Sequence, residues 1–245
     1  MADNTFDNLL LIARPGAGKS EIISHLKNTP LEERLERYHI GRFIELDDFP
    51  LLWAWFEEDD ILQRMGHPRL HSTPDHYFLE PYFWDVLIER LSLAHTKLLR
   101  DQPDFYQTGT VILEFSRGKQ HGGFQQAFQH LSREIADYLS ILYINVSWEE
   151  SLRKNQARYN PDRPDSILEH GLSDEKMASL YRESDWEELT TLKEDDVIPI
   201  QGRDVPYAVL ENEDDLTTRG GEALAERLSR VLDALYQKYQ QFRGA

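Results

Sequence analysis

The run Asn8-Leu-Leu-Leu-Ile-Ala-Arg-Pro-Gly-Ala-Gly-Lys-Ser20 decides how the rest of the chain is read. Leu9 to Ala13 are apolar without alternation, as expected of a parallel strand buried on both faces. A glycine-containing turn follows, and then a helix predicted from about Lys19 to Lys27. Strand, glycine turn and helix in that order make a phosphate-binding arrangement. Glycines let successive N–H groups converge on phosphate oxygens, and the helix start adds the positive end of its dipole. Arg14, Pro15, Gly16, Ala17, Gly18, Lys19, Ser20 and Glu21 would then surround a polyphosphate. Lys19 would reach the β- and γ-phosphates, while the Ser20 hydroxyl would ligate Mg²⁺. The pattern is the relaxed form, with Ala13 where the usual one has its first glycine.

Working outward, apolar segments recur between helical ones. Strands are predicted at Gly41 to Leu46, Thr110 to Phe115 and Leu139 to Val146. Val205 to Leu210 is expected as the fifth strand, with Val197 to Ile200 as its competitor for that place. A charged helix runs from Leu31 to Tyr38, and a C-terminal helix from about Gly221 to Tyr239 repeats Leu224, Leu228, Val231, Leu232 and Leu235 at helical spacing. Such alternation predicts an α/β fold with a central parallel five-stranded sheet and helices on both faces. Residues 49–101 are too long for a simple crossover between the second and third strands. Nine of the chain's 27 aromatic residues fall between Phe49 and Trp84, so this piece is expected to be a helical insertion within a single domain spanning residues 1–245.

The 245 residues carry 27 Lys and Arg against 44 Asp and Glu, a net charge of −17. A field of that sign opposes general nucleic-acid binding and anionic membranes. The longest apolar runs fall far short of the roughly 18 residues of a membrane span. The acidic start, Met1 to Asp7, is unlike a signal peptide, and a cytoplasmic location is the expectation. With no cysteine, thiolate chemistry and disulfides are excluded.

On the strength of Ala13 to Ser20, the chain resembles the P-loop NTPase superfamily. Neither an Asn-Lys-x-Asp motif nor a Leu-Ser-Gly-Gly-Gln-like signature is present, and the third strand ends Ile112-Leu-Glu-Phe-Ser-Arg117 rather than in Asp-Glu. The likeness is to the nucleoside, nucleotide and small-metabolite kinases, the uridine kinase-like enzymes in particular. It implies a three-layer kinase-like fold with strand order 2-3-1-4-5, ATP and Mg²⁺ as donor and cofactor, and a small-molecule acceptor.

Three further segments carry the likeness. Glu45-Leu-Asp-Asp-Phe49 is similar to the segment whose acid orients the hydroxyl being phosphorylated, which implies Asp47, with Asp48 as the alternative; a helix cap is the plainer role for both. Glu114-Phe-Ser-Arg117 resembles an acid-x-Arg segment, which implies Glu114, beside Ser20 and Asp47, at the metal and Arg117 at substrate. Arg153, Lys154, Arg158 and Arg163 concentrate positive charge in an acidic chain. The likeness implies a lid over residues 153–175 in which Arg153 or Arg158 neutralises the transferring phosphoryl group. The alternative is a solvated basic helix paired with Glu149 and Glu150.

Trp53, Phe78 and Tyr82 are candidate acceptor-binding residues within the aromatic insertion, whose simplest role is its own core. His67, His71 and His76 invite a zinc reading, but Pro68 and Pro74 interrupt the helix that would align them. The acids Glu211 to Asp215 are expected to be solvated or capping. Two other functions stay open: an ATP-hydrolysing switch or adaptor with a protein partner, and a kinase of a nucleic-acid 5′-end. No membrane contact is expected, and the sequence leaves the oligomeric state open.

Overall fold

The computed structural model describes residues 4–158, 172–193 and 196–243. In chain order they form β1 (Asn8–Ala13), α1 (Lys19–Asn28), α2 (Leu31–Arg37), β2 (Arg42–Asp47), α3 (Phe49–Arg64) and α4 (Phe83–Asp101). Next come β3 (Gly109–Phe115), α5 (Gly123–Gln129), α6 (Arg133–Ala136), β4 (Leu139–Asn145), α7 (Trp148–Arg158), α8 (Asp174–Tyr181) and α9 (Trp186–Thr190). The chain ends with β5 (Val197–Ile200), β6 (Arg203–Glu211), α10 (Leu216–Arg219) and α11 (Gly221–Phe242).

Every residue of β1 is buried, and its alternate side chains serve opposite faces of the sheet. Leu10 and Ile12 join an apolar cluster with Ile88 and Leu91 of α4, Phe124 and Phe128 of α5, and Trp186 of α9. Leu9 and Leu11 join a second cluster with Ile22 and Leu26 of α1 and Leu228, Leu232 and Leu235 of α11. The missing alternation in β1 is therefore a consequence of its central place. Helices cover both faces, giving three layers.

The sheet has six strands in the order β2-β3-β1-β4-β6-β5, not the five expected. All neighbours pair in parallel except β5 and β6, which are antiparallel. Val197 to Ile200 and Val205 to Leu210 do not compete for one place; both are strands of a hairpin. Its turn residues, Gln201 and Gly202, have φ of 51° and 78°, the backbone a tight hairpin turn needs. Pro199 is exposed on this edge strand, where a missing N–H costs no ladder bond.

The insertion consists of α3 and α4 joined by an irregular segment, residues 65–82. Buried Asp59 of α3 organises that segment by accepting bonds from the N–H groups of Leu70 (2.8 Å), His71 (3.0 Å) and Ser72 (2.6 Å) and from the Ser72 hydroxyl (2.7 Å). His71 stacks on Trp55 and His76 on Phe56, and His76 also bonds Asp60. Leu52, Phe56, Trp84 and Leu87 of the insertion pack with Met177 and Tyr181 of α8 in a third cluster. No helix among the described residues is long and apolar enough to cross a membrane.

Candidate active site

The carboxyl ends of parallel strands gather the side chains of interest, because each strand there releases its chain into a loop at the same edge of the sheet. From β1 comes the glycine turn. Gly18 has φ of 116°, and a Cβ placed there would lie 2.4 Å from the Thr217 hydroxyl. At the N-cap of α1, Gly18 offers no side-chain acceptor, so the first amides of the helix stay available to a ligand. Asn212 braces the turn from behind, donating to the Ala17 carbonyl at 2.8 Å and to the Thr217 hydroxyl at 2.8 Å. The Ser151 hydroxyl holds the Pro15 carbonyl at 2.7 Å.

Lys19 is buried, donates to the Ser116 hydroxyl at 2.7 Å and lies 3.7 Å from Glu114. Ser20 is exposed at the mouth of the turn. Across from it, Asp47 ends β2 and is paired in register with Glu114, the residue before the end of β3. Burial, reinforced by the neighbouring charges of Glu114 and Asp48, pushes the Asp47 carboxyl up to about 7. Burial raises Glu114 too, against the pull of Lys19. The charge of Arg158 also reaches Glu114.

Asp48 has a different environment. Its carboxylate meets the Arg117 guanidinium at 2.7 Å, with both side chains buried. Arg117 further donates to the carbonyls of Ser116 (2.7 Å) and Trp84 (3.1 Å) and lies over the Trp84 ring, 5.1 Å from its centroid. His121 stacks on the same ring at 4.0 Å, and burial together with Arg117 pulls it down to about 3, so it stays neutral. Arg117 is thus tied to protein groups on several sides.

These groups border one cavity of about 1320 Å³. Its lining includes Gly16, Gly18, Lys19, Ser20 and Glu21 of the turn, Asp47, Asp48, Glu114 and Arg117 at the strand ends, and Trp53, Phe56, Tyr77 and Phe78 of the insertion. Arg153, Lys154 and Arg158 of α7 also border it. Of the candidates named from sequence, Arg14, Ala17 and Tyr82 lie outside its lining. Arg14 donates to the Val146 and Arg182 carbonyls, Ala17 is buried beneath the turn, and Tyr82 is 55% exposed at the start of α4. Of the candidate lid, residues 159–171, with Arg163, lie outside the described residues. Arg153 is paired with Glu150 (2.6 Å) and Asp215 (2.9 Å), the local ion pair weighed against a phosphate contact.

Several cavity and bracing residues had no individual role assigned from the sequence. Lys154 is buried against Asp215 at 2.7 Å, and Asp215 adopts φ of 53° to meet it. Burial opposes the Asp215 charge, yet hydrogen bonds from Lys154 and Thr218 win and hold it at about 2. Glu213 and Asp214, from the same acidic run, bond Ser147 and Arg227. The basic run of α7 and the acidic run after β6 are partners, a signal readable only by comparing the two. Asn212 and Lys176 carried no motif at all.

The donor set suits Mg²⁺: a serine hydroxyl and carboxylate oxygens beside a phosphate-sized turn. Among the described residues no three His, Asp or Glu side chains form a self-sufficient metal cluster. Mg²⁺ bound through one or two carboxylates plus substrate phosphates and water needs none.

No known family profile matches the chain, and no curated protein matches it in sequence. Among solved structures it is similar to TT1252 from Thermus thermophilus, with 17% identity and a TM-score of 0.42 over 96% of this chain and 98% of that one.

Proposed function

We propose that the protein is an ATP-dependent phosphotransferase of P-loop kinase type that moves the γ-phosphoryl group of Mg-ATP onto a small-molecule acceptor. One observation carries this reading. The glycine turn with Lys19, the carboxylates Asp47 and Glu114, and the aromatic side chains of the insertion all line a single cavity. At about 1320 Å³ it exceeds the roughly 300–1,000 Å³ of ordinary single-ligand pockets, so donor and acceptor fit together.

The roles follow from position. The turn amides and Lys19 hold the β- and γ-phosphates, with Lys19 exchanging its bond to Ser116 for one to phosphate. Ser20 and Glu114 would hold Mg²⁺, which supplies charge neutralisation at the phosphates when bound. Asp47 accepts the proton of the acceptor hydroxyl, and a carboxyl raised to about 7 is suited to that task near neutral pH. Arg158, which lines the same cavity, would offset charge on the transferring group. Asp48 is the weaker choice of base, because Arg117 already engages it.

The test is transfer of label from γ-labelled ATP to a panel of hydroxylated metabolites, comparing wild type with Lys19→Ala and Asp47→Asn. Both substitutions are expected to abolish transfer. Transfer that survives Lys19→Ala would sink the reading, and ATP binding without transfer to any small molecule would favour a switch or adaptor.

A further inference from the structure

The acceptor end of the cavity holds one cation whose circumstances differ from those of the other lysines. Lys19, Lys27, Lys119, Lys154, Lys193 and Lys238 each lie against a carboxylate. Among the described residues, exposed Lys97 and cavity-lining Lys176 have no such partner. Lys176 projects from α8 into the aromatic insertion. Its ammonium donates to the Asp75 carbonyl at 2.8 Å and lies 4.9 Å from the Tyr77 ring centroid and 5.6 Å from that of Phe56.

An ammonium has three donors, and a single carbonyl uses one of them. Ring faces favour the cation without neutralising it. In a chain of net charge −17, Lys176 is partly buried with no carboxylate of the described residues within ion-pair distance, although the charge of Asp75 acts on it from farther off. Burial pulls it down to about 8, so it is still mainly charged at neutral pH and gains from any anion brought to it. Trp53, Leu52 and Leu172 add apolar surface to the lining of the same cavity.

We infer that the acceptor is an anionic small molecule with an apolar or planar body, whose carboxylate or phosphate pairs with Lys176 while its hydroxyl faces Asp47. This rests on the phosphotransferase reading above. It makes Lys176 a specificity-determining residue, since an acceptor lacking the anion would leave a partly buried cation without an ion-pair partner.

The experiment measures ligand binding to the full chain, by calorimetry, for matched pairs differing in charge: AMP and adenosine, UMP and uridine, phenyllactate and phenyllactamide. The charged member of at least one pair is expected to bind about tenfold more tightly than its neutral partner. Preference within the nucleotide pairs identifies phosphate as the anion, and preference within the phenyllactate pair identifies carboxylate. Lys176→Met is expected to erase the preference and Lys176→Arg to keep it. Equal affinity within every pair for the wild type, or a preference undiminished in a folded Lys176→Met, overturns the inference. Mg-ATP is titrated separately against the wild type: failure to bind would count against the phosphotransferase reading, and the charge preference is read independently of it.

Discussion

Asp48 and Arg117 meet at 2.7 Å with side chains 7% and 2% exposed, one at the end of β2 and the other just beyond β3. The pair ties two adjacent strand ends together beneath the cavity and separates two carboxylates that are neighbours in sequence. Asp48 is held by a guanidinium, whereas Asp47 is left beside Glu114. The sequence put Asp47 first and Asp48 second for one role; the arginine gives the two carboxylates different surroundings.

Breaking that pair from one side is costly, because it strands a buried charge. Arg117→Leu is expected to destabilise the fold by about 3–5 kcal/mol. Asp48→Leu combined with Arg117→Leu is expected to cost clearly less than the sum of the single changes. A double-mutant cycle by urea denaturation measures the coupling, and additive costs would contradict it.

Asp47 gives a pH-dependent prediction whose sign is fixed. Its folded-state carboxyl is raised to about 7 from an unfolded value near 3.9. The stability it contributes is fully present below about pH 4 and is lost as pH rises through 7. Asp47→Asn removes this titration, so the variant is expected to gain on the order of 4 kcal/mol over wild type at pH 8 relative to pH 4. Thermal melts across that range check it, and parallel pH profiles for the two proteins would refute it.

Gly18 cannot carry a side chain without displacing Thr217. With φ of 116° and a Cβ 2.4 Å from that hydroxyl, Gly18→Ala is expected to cost about 2–4 kcal/mol and to abolish Mg-ATP binding. Gly66→Ala is the control. It also has positive φ, but nothing lies within 4 Å of its Cβ, so only the backbone cost of about 1 kcal/mol applies.

Asn212 braces the turn through Ala17 and Thr217, touching no candidate phosphate-binding side chain. Asn212→Ala is expected to destabilise the protein by about 1–3 kcal/mol and to weaken Mg-ATP binding through loss of loop order. Calorimetric titration beside a melt separates the two effects. Unchanged affinity would show that the turn holds its shape without this brace.

Much of this architecture was legible in sequence because the signals are local. The apolar run Leu9 to Ala13 required a strand covered on both faces, since no single-faced strand tolerates that composition. Gly16 and Gly18 before Lys19 announced a turn with unusual backbone angles, and the leucines of α11 marked its buried stripe. Length and aromatic content together set 49–101 apart, a stretch the structure builds from two helices and the segment that joins them.

What the tertiary structure alone decided depends on residues far apart in the chain. The hairpin of β5 and β6 arises because two short apolar runs satisfy each other's backbone, which neither run shows by itself. Arg117 takes Asp48 across nearly 70 residues, and Asp215 takes Arg153 and Lys154 across more than 60, so charges that read as solvated are neutralised in pairs. Lys176 emerges by the same comparison, as the cavity lysine that no carboxylate among the described residues meets at ion-pair distance. Local composition specifies strands, helices and the glycine turn because those depend on near neighbours; which charge is left for a ligand depends on every other charge first finding its partner.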